Sequence, residues 1–313
     1  MIKTAVIGTG SIGIEHLTAI EHSDEFELCA VCDTNTEKAE VFGEKYCVPV
    51  FADYHDIPGK TDAEAVILNL PHFLHCEAAV FFLEHGIHVL VEKPMANTVA
   101  ECDKMLEAAK KSGKKLAVGH VQRYFAANRA VKECIESGRL GKFIMYEERR
   151  TTNYFDKNRP KWFLQKSTSG GGIVMNYGAH AIDKIFYMVG AQKPEIFSVC
   201  ANSKNACDIE GHAQYMMRFK DGFSASVTFS GYGCCGYEVI YYFTDGALNV
   251  SDGIRLREYK NGKWEDSDVC EDGLFMDRQL KEFANFIEGK ESEITDGEYG
   301  KAVISAIEKI YEN

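Results

Sequence analysis

The first part of the chain repeats one pattern, a short apolar run followed by a stretch of helical period. Ile2, Ala5, Val6 and Ile7 open it, and further strands are predicted over 26–32, 48–51, 65–70, 88–91 and 116–119. Helices fill the intervals, over 36–46, 73–85 and 98–112. About six strands interleaved with helices predict an α/β domain over residues 1–120, a doubly wound, parallel Rossmann sheet. Ligands of such sheets lie beyond the carboxyl ends of the strands, so the residue after each strand is a candidate for chemistry.

The pattern changes near residue 121. A helix over 127–137 ends at Gly138, and longer alternating strands follow over 143–152, 195–202, 212–219, 223–230, 237–243 and 254–259. Asp221-Gly222, Asp245-Gly246 and Asn261-Gly262 are tight-turn signals beside them. Residues 121–313 are therefore expected to form an α+β domain with a mostly antiparallel sheet. Tyr215, Met217 and Phe219 share one parity while Met216 takes the other, which predicts apolar residues on both faces. Helices of the same domain would cover one face and a second copy of the chain the other, so a homodimer or homotetramer is expected. Between the first two long strands, Gly170-Gly171-Gly172 opens a helix to about Val189. Val174, Ala181, Ile182, Ile185 and Val189 form its buried stripe. Asn176, His180, Asp183 and Tyr187 form a second stripe, which either lines a pocket or meets solvent.

Candidate chemistry begins at Gly8-Thr9-Gly10-Ser11-Ile12-Gly13, a G-x-G-x-x-G turn between a strand and a helix. The first glycine permits the turn, the second lets backbone approach a pyrophosphate, and the third lets helix pack on strand. Asp33 stands 20 residues after Gly13, where a carboxylate accepts from the ribose 2'-OH of NAD and repels the 2'-phosphate of NADP. At later strand ends stand Asn69, Pro71 and His75, then Glu92-Lys93-Pro94, then His120, Gln122, Arg123 and Tyr124. His75 is either a cofactor contact or an ordinary residue of a helix start. Lys93 is either a held cation for a substrate oxygen or a solvated loop charge.

Composition narrows the partners. Across 313 residues the net charge is -12, with no basic cluster to override it, which argues against a nucleic-acid surface. No apolar run approaches the length of a membrane span, and the first strand leaves no room for a signal peptide, so a cytoplasmic protein is expected. The 11 cysteines lack the paired ligand spacing of a metal site. Cys29 and Cys32 point to opposite faces of a strand, and Cys234 and Cys235 are adjacent.

Gly8-x-Gly10-x-x-Gly13, Glu92-Lys93-Pro94 and Gly170-Gly171-Gly172 followed by Asn176-x-x-x-His180 together resemble the glucose-fructose oxidoreductase and inositol dehydrogenase (Gfo/Idh/MocA) family along the whole chain. The resemblance implies a Rossmann domain joined to an open-faced antiparallel sheet domain with a cleft between them. It also implies NAD or NADP as cofactor and a carbon of a sugar or cyclitol as reacting centre. Lys93 looks like the family lysine that touches nicotinamide ribose and substrate, His180 like the proton-transferring histidine, and Trp162 like the aromatic upstream of the glycine run. Many members carry aspartate where Asn176 stands, and some nucleotide-sugar members carry asparagine. Tyr154, Arg159, Trp162 and Tyr232 are pocket candidates, and Arg150 or Arg159 could meet a carboxylate or phosphate as readily as solvent. The expected activity is NAD-dependent oxidoreduction of a secondary alcohol. The alternatives are an NAD-dependent glycosidase working through transient oxidation and a non-catalytic NAD-binding regulator.

Overall fold

The computed structural model describes residues 1–201 and 207–312, without the side chains of Cys234 and Cys235. The last residue of the strand expected over 195–202 and the adjacent cysteine pair thus fall outside the described residues. Two compact units emerge, one built from residues 1–120 and 276–301, the other from 121–275 and 302–313.

The first unit begins with β1 (Ile2–Ile7), α1 (Ser11–Glu21), β2 (Phe26–Cys32), α2 (Thr36–Tyr46), β3 (Val50–Phe51), the short α3 (Ile57–Lys60), β4 (Ala65–Leu68), α4 (His72–Glu84), β5 (His88–Glu92), α5 (Val99–Ser112) and β6 (Leu116–Gly119). The strands pair in parallel in the order β6-β5-β4-β1-β2-β3. All four residues of β4 are buried, because helices cover both faces and an alternating pattern has no solvent side to serve. Local signals set the helix ends: the Thr98 side chain accepts from the Glu101 amide at the start of α5, and Gly113 closes it in the left-handed region.

The second unit continues with α6 (Ala126–Ser137), β7 (Phe143–Asn153), the short α7 (Lys166–Ser169) and α8 (Ala179–Val189). Its remaining strands are β8 (Glu195–Ala201), β9 (His212–Arg218), β10 (Ser224–Ser230), β11 (Tyr232–Phe243), β12 (Ala247–Ser251), β13 (Arg255–Lys260) and β14 (Lys263–Asp266). They form an eight-stranded sheet in the order β14-β13-β12-β11-β7-β10-β9-β8, antiparallel except where β7 runs beside β10. The inner face carries Tyr146, Val227, Tyr215, Val239 and Leu248 against the helices. The outer face departs from the expected apolar surface. Phe197, Val199 and Met216 are exposed at the β8–β9 end, whereas Ser226, Thr228, Glu147 and Arg149 occupy the rows beyond.

Part of the C-terminal segment, residues 276–301, groups with the first unit. α9 (Phe275–Ile287) lays Phe283 on Phe26 of β2, ring centroids 5.9 Å apart, and β15 (Thr295–Asp296) adds an antiparallel edge strand beside β6. The Thr295 hydroxyl also donates to the Val118 carbonyl. The division between units then falls inside α10 (Gly297–Glu312). Among the described residues no helix is long and apolar enough to cross a membrane, and no cluster of side chains is suited to a metal ion.

Candidate active site

In the first unit the glycine turn meets the ends of neighbouring strands. Gly8 has φ +91°, and a Cβ there would lie 2.5 Å from the Asn69 carbonyl oxygen. A Cβ on Gly13 would lie 2.1 Å from the Gly8 oxygen, so α1 starts against the end of β1 with no room for a side chain. Gly10 differs, since no atom lies within 4 Å of where its Cβ would stand. The fold itself does not require glycine at that position. Gly10 also starts α1 without a side-chain cap, and no acidic residue occupies the first turn, where Ser11 is exposed and Ile12 half-buried. Uncapped amides at the positive end of a helix suit a pyrophosphate.

Two side chains complete that fit. Asp33 follows β2 and accepts from the Thr9 amide at 2.8 Å, the Thr9 hydroxyl at 2.8 Å and the Asn35 amide at 2.9 Å. Partial burial pushes its carboxyl up, but the Asn35 and Thr9 hydrogen bonds outweigh this and hold it below the usual carboxylate range. About four acceptor positions exist on a carboxylate, so capacity for a ribose hydroxyl remains. Asn69, after β4, has both amide atoms buried without a hydrogen-bond partner among the described residues. It lies where the strand order reverses, between β1 and β4, the place at which doubly wound sheets take dinucleotides. An orphaned amide beside an open glycine fits NAD.

The neighbouring predicted residues are supports. Pro71 begins α4 and removes one N–H from its start. His75 is buried, its ring nitrogens 2.8 Å from the Pro94 carbonyl and 2.8 Å from the Leu70 carbonyl. Burial draws its pKa below the ordinary histidine value against the pull of both carbonyls. His75 thus stands between the loop after β5 and the end of β4, its neutral ring having one N–H to donate to either carbonyl. The Glu92 carboxylate turns inward, 3.0 Å from His16 Nε2 of α1. Between these braces stands half-buried Lys93.

In the second unit, Asn176 lies in a π-turn over Val174–Gly178 that precedes α8. The i, i+4 arithmetic that put Asn176 and His180 on one stripe assumes an unbroken α-helix, and the wide turn interrupts it. Asn176 is buried and hydrogen-bonds Tyr154, whose hydroxyl also donates to the Gly172 carbonyl at 3.1 Å. His180 is half-buried in the first turn of α8. Asp183 and Lys184 are fully buried on that helix and not solvated: Asp183 pairs with Arg123, and Lys184 Nζ donates to Tyr237 at 2.8 Å and to Glu148 at 3.3 Å. Arg123 is therefore engaged inside the unit, because an unpaired Asp183 would be costly there. The Gln122 side chain also accepts from Lys184 at 3.3 Å.

The glycine run has a packing cause. A Cβ on Gly171 would lie 2.1 Å from the Tyr311 hydroxyl, and one on Gly172 2.0 Å from the Glu210 backbone. Glu210 accepts from the Gly172 and Val174 amides at 2.8 Å each, filling that helix start with a carboxylate of the protein itself. Neither Glu210 nor Tyr311 was legible as a partner, since both are distant in sequence. Trp162 stacks on Phe163 at 3.7 Å, and Tyr232 stacks on Phe155 at 5.3 Å.

A parallel sheet with an open glycine turn, an orphaned amide and a carboxylate at its strand ends defines a dinucleotide-binding unit, here continued by a half-open sheet unit. Comparison gives the same class: residues 2–120 match the oxidoreductase family with NAD-binding Rossmann fold, and residues 128–248 match the GFO/IDH/MocA C-terminal domain. The chain belongs to the GFO/IDH/MocA oxidoreductase family. It is 30% identical over 74% of its length to 1-carboxy-3-chloro-3,4-dihydroxycyclohexa-1,5-diene dehydrogenase of Comamonas testosteroni, 58% of which is matched. It is 25% identical to D-glucoside 3-dehydrogenase of Escherichia coli, over 100% of this chain and 95% of that one. The aldose-aldose oxidoreductase of Caulobacter crescentus shares the fold at a TM-score of 0.90 and 22% identity, covering 99% of this chain and 96% of that one. Several curated relatives are matched over only 45 to 66% of their length.

Two outcomes follow from the cofactor unit. Gly10→Ala should leave the melting temperature unchanged, while NAD affinity measured by calorimetry falls roughly tenfold or more, the scale of a lost charged hydrogen bond. Gly13→Ala should lower the melting temperature. Asp33→Ser should narrow the preference for NAD over NADP. In the parent protein that preference should persist from neutrality to about pH 5, because a depressed pKa keeps Asp33 ionised there and protects it only above that pKa.

Proposed function

We propose that the protein is an NAD-dependent oxidoreductase acting on a secondary alcohol of a sugar, cyclitol or sugar derivative. The observation that carries this is the row of groups at four adjacent strand ends of the first unit: Lys93 after β5, Asn69 after β4, Gly8 after β1 and Asp33 after β2. A module that only bound a dinucleotide would have no use for an ammonium braced at the end of that row.

Gly10, the first amides of α1, Asp33 and Asn69 would hold NAD, which supplies a hydride acceptor when bound. Lys93 Nζ donates to the substrate oxygen and stabilises the charge that develops on it. His180 takes the proton of the reacting hydroxyl. An imidazole of ordinary pKa near 6.5 suits this transfer in either direction. Asn176, held by Tyr154, orients the hydroxyl without adding charge.

The working form in this reading is an oligomer made through the outer sheet face. Phe197 and Met216 are paired across β8 and β9 at 53% and 56% exposure, and a covered patch there would remove apolar surface from water.

Lys93→Ala should keep NAD affinity but lower kcat by roughly a hundredfold or more, the scale of one positioned acid–base group. His180→Ala should do likewise and remove the acidic limb of the kcat/KM profile. Near-normal kcat in both variants on a turned-over sugar, followed as NADH absorbance, rejects these roles. Met216→Glu should shift the protein to monomer in light scattering with its melting temperature little changed, and an unchanged mass rejects the outer-face interface.

A further inference from the structure

Among the described residues, the guanidinium groups of Arg150 and Arg159 in the second unit have no ionic partner but lie over aromatic rings. Arg150, on the inner face of β7, places its Cζ 3.8 Å from the centroid of the Tyr177 ring and 4.9 Å from that of Tyr237. Among the described residues it makes no hydrogen bond or ion pair. The carboxylate two residues before it on the same face, Glu148, already accepts from Lys184 and Tyr146. Arg159 repeats the arrangement, its Cζ 4.1 Å from the Tyr154 ring and 5.1 Å from that of Phe163, with Nε buried and without a partner. The two platforms touch, since the Tyr154 and Tyr177 rings meet edge to face at 5.7 Å. Tyr154 is also the residue that holds Asn176.

A guanidinium held over a ring face loses some of its freedom without using its N–H donors. Such a group is preorganised for two parallel hydrogen bonds to an oxyanion. The charge balance agrees. Arg123 is neutralised by Asp183 and Lys184 pairs with Glu148, which leaves Arg150 without a carboxylate of its own. Burial, with the like charge of Arg150 adding to it, draws the Lys184 ammonium below the usual lysine range against the attraction of Glu148. In a chain of net charge -12 this half-buried excess of positive charge is local and specific.

We propose that the substrate carries an oxyanion, a carboxylate or a phosphoryl group, and that Arg150 and Arg159 receive it from their tyrosine platforms. The inference rests on the dehydrogenase reading and narrows it from neutral polyols to acidic sugar derivatives. Arg149, the residue before Arg150 on β7, belongs to the outer face and pairs with Glu238, so it serves as a control of equal charge.

The test uses the NADH-loaded protein and matched probes: D-glucose, D-glucuronate and D-glucose 6-phosphate, with myo-inositol as a neutral cyclitol. Affinity is read from the change in NADH fluorescence, and turnover of the same panel with NAD is read from absorbance. At least one anionic probe should bind roughly tenfold or more tightly than glucose, the scale of a charge-assisted hydrogen bond. Whether glucuronate or the phosphate is favoured identifies the oxyanion. Arg150→Gln and Arg159→Gln should bring the anionic-to-neutral ratio toward one, while Arg149→Gln leaves it unchanged. Equal binding of neutral and anionic probes overturns the proposal, and so does an anionic preference that survives both substitutions. Turnover of neutral panel members alone overturns it while leaving the dehydrogenase reading intact. Anion preference without turnover of any member supports the oxyanion site and counts against the dehydrogenase reading.

Discussion

The backbone of Gly13 lies against the carbonyl of Gly8, and this lack of room fixes much of the first unit. With no side chain between them, α1 can begin directly at the end of β1, and its uncapped amides are held at the edge where β4 and β2 also end. Any larger residue would push the helix away and turn that end from the row of Asn69 and Asp33. The close contact is thus a geometric condition for a phosphate site, made from backbone alone. Gly10 then stays bare for a reason outside the chain.

The second unit rests on a different condition, the satisfaction of buried charge. α8 carries Asp183 and Lys184 in its interior, and each is matched to a partner from another element, Arg123 before α6 and Glu148 on β7. Removing either partner would strand an ion in a dry place. The pairs therefore pin the azimuth of α8 over the sheet, and with it the positions of Tyr177, Asn176 and His180 around the wide turn. Polar residues on this helix are thus structural at one level and set the stage for chemistry at the next.

The parts of the fold legible in sequence were those whose signals are local. The glycine turn, the caps of α5 and the apolar runs of the parallel strands each declare themselves within a few residues. The strand-end positions of Lys93 and Asp33 follow from the apolar runs alone. The bonds of Arg123 and Gln122 were not legible, because their partners, Asp183 and Lys184, lie some 60 residues on, and a strand end looks the same whether its polar group faces a ligand or a buried ion. Those of His75 and Glu92 were hidden similarly, each engaged with groups brought near by the crossover of the chain. The π-turn left no signature in a 3.6-residue period, and the two residues of β15 are too few to show any period at all.

That short strand has a consequence for heredity. Because residues 276–301 belong with the first 120, the chain passes between its two units three times, at His120, at Phe275 and within α10. A single recombination event between relatives would separate Phe26 from Phe283 and β6 from its edge strand, leaving both fragments incomplete. Exchange of a whole cofactor unit therefore needs coordinated breaks in one gene.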